Sequence, residues 1–263
     1  MAIFLSLYSG SSGNCALVGE QGRYLCVDMG KNCKTTLAAL AQADVDPQEL
    51  AGILVTHEHT DHTKGLGVFL KRYPLPVYGS AGTLDYLALH GMVPAGADLR
   101  PLREGEEEIE GFGVRSFHTS HDAADCRGYR IALPSGRVAA MATDLGIVTD
   151  EVLGGLLGAD LAILEANYDP VRLRTGPYPY YLKARIASQQ GHLCNEETGG
   201  ALVQLLAEGC ERFALCHLSQ ENNTPQLAMQ AVTQAFIAAG SMPGQDGLLQ
   251  VLSRSSVTPA IHF

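Results

Sequence analysis

His57, Glu58, His59, Thr60, Asp61 and His62 follow directly on the apolar run Gly52-Ile-Leu-Val-Thr56, so four metal-ligating side chains, His57, His59, Asp61 and His62, fall within six residues. Histidine is the commonest ligand of divalent cations and carboxylate a frequent companion; a loop mounted on a rigid strand can hold them at fixed separations. A solvated polar turn would require no such spacing, and the cluster therefore points to a divalent-metal site. Two further stretches offer chemistry of a different kind. Ser9 to Asn14 combines glycines, which let backbone N–H groups approach a ligand, with Ser11, Ser12 and Asn14, which can bond a phosphate; a plain hairpin turn would use the same residues. Between Asn167 and Gln190, Arg172, Arg174, Lys183 and Arg185 stand against the single acid Asp169, and Tyr168, Tyr178, Tyr180 and Tyr181 are interleaved. Cations such as Arg172 and Lys183 suit phosphates and a ring such as Tyr180 suits a stacked base; a solvated loop with buried tyrosines is the competing reading.

These residues need elements to position them. Ile3–Ser9, Cys15–Glu20 and Arg23–Asp28 are rich in β-formers and broken by glycines, which predicts a β-meander. The period then changes: a helix over Thr35–Ala43, a buried strand over Gly52–Thr56, a helix over Leu66–Arg72, a strand near Pro76–Gly79 and a helix over Thr83–His90. After an acidic turn at Glu104–Glu108 come strands ending near His121, then Tyr129–Leu133, Val138–Thr143 and Leu161–Glu165, with a helical stretch at Glu151–Leu157. Helices over Glu196–Ala207 and Pro225–Ala239 bracket a strand over Arg212–His217. The polar chemistry falls just after strands, where open αβ folds place their ligands.

Composition sets the frame. The 263 residues carry 18 basic against 28 acidic side chains, a net −10, which argues against a protein that coats nucleic acid along a broad basic face. The stretch from Asn167 to Gln190 is nonetheless net +3, so a local basic groove remains compatible. No apolar run approaches the roughly 20 residues needed to cross a bilayer. The N-terminus lacks a basic segment ahead of its short apolar stretch, so a cytoplasmic protein without membrane partners is expected. Seven scattered cysteines with no CxxC pair argue against a disulfide framework; Cys126 and Cys194 lie near histidines, but packing is the expected role of both.

The spacing His57-x-His59-x-Asp61-His62 resembles the signature of the metallo-β-lactamase superfamily, and the resemblance runs along most of the chain. Asp28 closes a strand before it. His121 in Thr119-Ser-His-Asp122, Asp144 in Ala142-Thr-Asp-Leu-Gly146 and His217 in Leu215-Cys-His-Leu218 fall in the order of the later motifs. The resemblance implies an α/β fold, a four-layered αβ/βα sandwich, with residues 1–263 as a single hydrolase domain. It implies two divalent ions, zinc or manganese: one on His57, His59 and His121, the other on Asp61, His62 and His217, with Asp144 bridging and Asp28 behind the ligands. Two cations so placed lower the pKa of a shared water and bind the oxygens of a phosphate under in-line attack, and Asp61 would orient that water. Spacing alone leaves His118 and His121 as alternatives. Ser120-His-Asp-Ala123 followed by Gly128-Tyr129 resembles the form of this motif in one subgroup, which favours His121.

The superfamily hydrolyses β-lactams, thioesters and phosphodiesters, and some members bind iron, so the fold alone does not choose. Its oxygen-reducing members carry HxExD where this chain has His57-x-His59-x-Asp61. Glu165-Ala166 and Gly191-His192, followed by His217, resemble the tRNase Z and RNase J arrangement, implying His192 as general acid and Glu165 as the group that orients it. Asp144 and His217 are only 73 positions apart, too few for the domain RNase J inserts there, and residues 122–143 leave no room for the tRNA-gripping arm of tRNase Z. A resemblance to the compact YycJ/WalJ-like group covers nearly the full chain. It is carried by Ser9-Gly-Ser-Ser-Gly-Asn-Cys15, Thr56 to His62, Ser120 to Ala123, Gly176-Pro-Tyr-Pro-Tyr180, Gly191-His-Leu193 and His217-Leu-Ser-Gln-Glu-Asn-Asn223. That group implies a 5′-to-3′ exonuclease taking a DNA end as substrate. The same site would serve a hydrolase of β-lactams, lactones or thioesters, which is the rival reading. A non-enzymatic interaction module finds little support, because all seven ligand positions are filled.

Overall fold

A computed structural model describes residues 1–242, 244 and 246–263. In β1 (Ile3–Tyr8) and β2 (Cys15–Glu20) burial does not alternate along the strand, as in strands covered on both faces. Phe4, Ala16 and Val18 join one apolar cluster while Leu5, Leu7 and Leu17 join another, which is the period-two division of a strand between two layers. β3 (Arg23–Val27) completes an antiparallel meander with them. The chain then crosses through α1 (Cys33–Gln42), whose first turn is capped by the Asn32 side chain accepting from the Thr35 amide. β4 (Leu50–Leu54), α2 (Thr60–Thr63), α3 (Leu66–Arg72), β5 (Val77–Gly79), α4 (Ala81–Leu89) and β6 (Leu99–Pro101) follow, and β3 through β6 pair in parallel.

The second half repeats this plan. β7 (Glu106–Ile109), β8 (Phe112–His118), β9 (Arg127–Ala132) and β10 (Val138–Ala142) are antiparallel. α5 (Asp150–Leu156), β11 (Leu161–Glu165), α6 (Pro170–Thr175), α7 (Tyr180–Ile186), α8 (Asn195–Ala207), β12 (Arg212–Cys216), α9 (Pro225–Ala238) and β13 (Leu248–Val251) extend the sheet in parallel from β10. β14 (Ile261–His262) returns to the first sheet beside β1. Among the described residues each sheet has seven strands, in the orders β14-β1-β2-β3-β4-β5-β6 and β13-β12-β11-β10-β9-β8-β7.

The sheets face each other across one core to which both contribute: Phe4, Leu25 and Leu54 from the first meet Tyr129, Met141 and Ile163 from the second. Helices cover the outer faces. Leu40, Phe69 and Leu84 lie on the first sheet, and Val152, Leu202 and Phe236 on the second. This is the four-layered αβ/βα sandwich expected. Among the described residues no helix is long and apolar enough to cross a membrane.

One expectation needs correction, one competing reading falls, and three strands went unforeseen. The acidic stretch Glu104–Glu108 is not simply a turn, because β7 begins at Glu106; it is an edge strand, where outward-facing glutamates discourage further pairing. The basic stretch after Asn167 is not a loop but carries α6 and α7. Asp169 caps α6 and Pro170 occupies its first turn, a start signal that short, exposed helices leave without an apolar period to confirm it. β6, β13 and β14, short strands at or near sheet edges, have too little burial to pattern the sequence.

The turns beneath the chemistry are knitted together by the main chain. Asn14 N donates to Asp61 O at 2.8 Å, Met29 N to His62 O at 2.7 Å and Gly30 N to Asn14 O at 2.8 Å. Gly30 makes this possible, since a Cβ there would stand 1.7 Å from the Asp61 carbonyl oxygen, an atom of the backbone. Gly30→Ala is therefore expected to push the 57–62 turn out of place. A melting scan should show a loss of several degrees, since overpacking costs about 1–3 kcal/mol or more and each kcal/mol is worth roughly 2–4 °C at this size. An unchanged melting temperature with full metal uptake would refute it.

Candidate metal centre

Five strand ends converge here, all at carboxyl edges: β3 leads to Asp28, β4 to the 57–62 turn, β10 to Asp144, β11 ends in Glu165 and β12 leads to His217. Asp28, Asp144 and His217 have φ of 61°, 56° and 53°. Non-glycine residues held in the left-handed region cost on the order of 1 kcal/mol or more and persist where the surroundings over-determine them, often at functional sites.

Two groups of donors form. His57, His59 and His121 offer ring nitrogens that lie within 4.8 Å of one another, and so do the donor atoms of Asp61, His62 and His217. Asp144 lies between the groups, with Oδ2 3.2 Å from His62 Nε2 and Oδ1 3.7 Å from His121 Nε2. The far sides of four of the five rings, all but His59, are held by hydrogen bonding. His62 Nδ1 donates to Asp28 Oδ2 at 2.7 Å and His121 Nδ1 to the Gly191 carbonyl at 3.1 Å, while His217 Nδ1 lies 3.0 Å from Glu165 Oε2. Asp28 also accepts from the Thr56 amide and hydroxyl at 2.8 and 2.9 Å, and the Thr56 oxygen lies 3.0 Å from His57 Nδ1. Engaging Nδ1 in this way leaves Nε2 as the lone-pair nitrogen, the usual preparation of a metal-binding imidazole. His57 Nε2 and His217 Nε2 are buried and make no hydrogen bond among the described residues. Such an orphan costs about 1–3 kcal/mol, and a cation ligated at both atoms would remove that cost. The donor set fits two divalent ions.

Charge tells the same story. Burial works against the imidazolium of His217, but the carboxylates of Asp144, Asp61 and Glu165 around it push it up to about 10. Burial likewise disfavours ionised Asp144, yet the charges of His217 and His62 hold it well below the usual carboxylate range. His57 is held well below its ordinary value by burial and by neighbouring His62, so it stays neutral and able to ligate. Burial would raise Glu165; the His192 charge and bonds from His192 and His217 bring it down to about 2. Glu165 Oε1 also accepts from the Leu145 and Leu193 amides at 3.2 and 2.9 Å.

His192 is the one histidine of the cluster outside both groups of three. Its Nδ1 lies 3.2 Å from Glu165 Oε2, and its ring centroid is 5.2 Å from those of His121 and His217. His118 is 57% exposed and paired with Asp125, so His121 is the histidine at the centre. Cys126 and Cys194 are buried with their thiols pushed up by burial, Cys194 opening α8, and both serve packing. Asn14 is buried, and its amide closes the 10–14 turn and lies 3.1 Å from His62 Nε2; it is a scaffold of the centre and not the exposed phosphate contact expected. Ser11, Ser12 and Tyr180 are exposed. Arg172 and Lys183 donate to the carbonyls of Glu221 and Arg174.

Several participants had been given no part in the centre. Thr56 links Asp28 to two rings, Ser9 Oγ accepts from the His217 amide at 2.9 Å, and Asn167 donates to the His217 carbonyl at 2.9 Å. Asp122 Oδ1 lies 3.3 Å from His121 Nε2 while Arg185 holds Oδ2, tying α7 to the turn that supplies His121. Ser9, Thr56 and Asp122 fall inside the quoted motifs and Asn167 does not, but contacts that span up to 208 positions gave none of them its role in the sequence.

The family model of the beta-lactamase superfamily domain matches residues 27–217. The chain belongs to the metallo-β-lactamase superfamily. Within that superfamily it is 38% identical over 250 residues to the exodeoxyribonuclease YycJ of Bacillus anthracis, covering 92% of each chain. It is 33% identical over 257 residues to the exodeoxyribonuclease WalJ of Streptococcus pneumoniae, covering 96% of this chain and 95% of that one. The metallo-β-lactamase fold protein YhfI of Bacillus subtilis superimposes with a TM-score of 0.73 at 16% identity, over 98% of this chain and 99% of that one, a likeness of fold. As a member of the metallo-β-lactamase superfamily the chain is a metal-dependent hydrolase.

Because metal-free His217 keeps a proton to about pH 10, cation binding at its Nε2 must release that proton. Apparent affinity should rise about tenfold per pH unit for each proton displaced between pH 6 and 8. Calorimetric titration in buffers of different ionisation enthalpy should show heats that depend on the buffer; identical heats would refute the coupling. Asp28→Asn, which leaves His62 Nδ1 without its carboxylate, should weaken metal binding about 10–100-fold in the same titration.

Proposed function

We propose that this metallo-β-lactamase domain is a dinuclear phosphodiesterase that digests DNA from a 5′ end toward the 3′ end. His57, His59 and His121 would hold one cation and Asp61, His62 and His217 the other, with Asp144 available to both. The observation that carries the reading is the Glu165–His192 pair. A thiolate leaves a thioester without needing a proton, whereas an alkoxide leaving from phosphorus calls for a placed acid. His192 Nδ1 is occupied by buried Glu165, and its Nε2 has no partner among the described residues. The YycJ and WalJ relatives, both named as exodeoxyribonucleases, support the same substrate class.

Bound divalent ions would supply Lewis acidity and lower the pKa of water. Asp61, partly exposed and 3.5–3.6 Å from His217 Nε2 and His62 Nε2, orients the attacking water. Glu165 holds His192 in register so that it protonates the departing 3′ oxygen. Ser11 and Ser12 on one side and Arg172, Tyr180 and Lys183 on the other contact the strand. Zinc and manganese both suit the donor set. The seven cysteines, all buried and unpaired, support a reducing compartment, which we take to be the cytoplasm.

Asp61→Ala is expected to abolish turnover of end-labelled DNA by protein loaded with Mn²⁺ or Zn²⁺. His192→Ala should lower the rate on DNA by about 10²–10⁴-fold with metal content unchanged. On a p-nitrophenyl phosphodiester, whose leaving group needs no proton, the loss should be far smaller. Equal losses on both substrates would remove His192 from the acid's role. Faster turnover of a β-lactam or thioester than of DNA would replace the nuclease reading with the rival hydrolase.

A further inference from the structure

The end of α7 is wedged among the loops of the metal centre, and two glycines make the room. An added Cβ at Gly191 would stand 2.3 Å from the Arg185 carbonyl oxygen and 2.2 Å from that of Ile186, and one at Gly146 would stand 2.2 Å from the Ser188 carbonyl oxygen. The Ile186 carbonyl accepts from the His192 amide at 2.9 Å, and the Ser120 hydroxyl donates to the Gln189 carbonyl at 2.7 Å. The backbone at Arg185 is thereby fixed against the segments that carry His121, Asp144 and His192.

Its side chain is fixed as well. Arg185 Nε donates to Asp122 Oδ2 at 2.8 Å and Nη2 reaches the same oxygen at 2.5 Å, while Asp122 Oδ1 lies 3.3 Å from His121 Nε2, the nitrogen left for metal. One carboxylate thus separates the guanidinium from a metal ligand. Arg172 and Lys183 end on main-chain carbonyls instead. A guanidinium has five N–H donors; Asp122 engages two of them, and Arg185 Nη1 makes no hydrogen bond among the described residues. The side chain is 58% exposed, so its remaining donors are open to a substrate. The Asp122 carboxylate opposes an anion here, but its Oδ1 faces the donors of one cation site, which shares that charge.

We propose that Arg185 is a further catalytic residue: its guanidinium binds a non-bridging oxygen of the diester being cleaved, and Asp122 is the positioning residue that sets it there. The assignment rests on the phosphodiesterase reading above. Phosphoryl transfer spreads negative charge over the oxygens that neither attack nor leave, and a planar, permanently charged fork matches them better than an ammonium does. A cation already held in place meets that charge without reorganising. Arg185 acts on the phosphoryl oxygens, whereas His192 serves the departing one, so the leaving group separates the two contributions.

The test measures kcat and KM of metal-loaded protein on single-stranded DNA and on a p-nitrophenyl phosphodiester. Arg185→Gln should lower kcat by about 10²–10³-fold on both substrates, unlike His192→Ala, with metal content unchanged. Arg185→Lys should recover part of the loss, and guanidinium ion added to Arg185→Ala, at concentrations too low to unfold the protein, should do the same; a purely structural role would respond to neither. Asp122→Asn should lower kcat less, and combining it with Arg185→Gln should cost little more than Arg185→Gln alone, because the two act as a unit. Should Arg185→Gln misfold, Arg185→Lys must show a loss on both substrates. An unchanged kcat, a loss confined to KM on DNA, or a loss that follows metal content overturns the proposal and leaves the phosphodiesterase standing. If the wild type cleaves neither substrate, the phosphodiesterase reading falls and this assignment falls with it.

Discussion

Burying several imidazoles and carboxylates together is unfavourable unless each charge meets its opposite or a hydrogen bond, and the architecture around this centre is organised by that requirement. Asp28, Asp144 and Glu165 are fully or almost fully buried, and each is surrounded by donors. Asp28 receives Thr56 and His62, and Glu165 receives three amides and sits against two rings. The rings of His57, His62, His121 and His217 in turn have their Nδ1 atoms engaged, which leaves their Nε2 atoms for the centre. A cavity built this way is electrostatically complete only with cations in it. The two sheets supply the rigidity: the loops carrying Asp28, His57 to His62, Asp144 and His217 leave strands whose last three residues are all buried.

The same layout explains what was legible in the sequence. The 57–62 cluster was legible because it is local, while Asp28, Asp144 and His217 were assigned through the family resemblance. The strand–helix alternation after Asp28 was legible in the change of period, and the four-layered sandwich came from the same resemblance. The partners that tune the ligands did not come through. Thr56 is an ordinary strand-end residue until Asp28, 28 positions earlier, is placed against it, and nothing in the sequence joins Ser9 to His217 or Arg185 to Asp122. Asn14 shows the opposite error: a polar residue among glycines and serines suggests a surface contact, while its side chain is buried as a clasp between the loop and His62. Edge strands and short helices escaped because one exposed face and few residues leave no period to read.

The basic segment after Asn167 is tied in at several points. Arg185 engages Asp122, Ser120 donates to the Gln189 carbonyl at 2.7 Å and Arg172 reaches the carbonyl of Glu221. The helices that present Tyr180 and Lys183 are thus fastened to the loops carrying His121 and His217. A strand held by that segment would bear on the metal ligands through two side-chain contacts, which couples grip to chemistry without any moving domain.

The left-handed backbone at Asp28, Asp144 and His217 has a consequence for engineering. Glycine would adopt those angles freely, but glycine at any of the three would delete a carboxylate or an imidazole from the centre. Glycine there would relieve on the order of 1 kcal/mol of backbone strain and leave buried partners uncompensated at a larger cost. A library screened for thermal survival alone would still keep the strained residues, and heat resistance and the intact centre would be selected together.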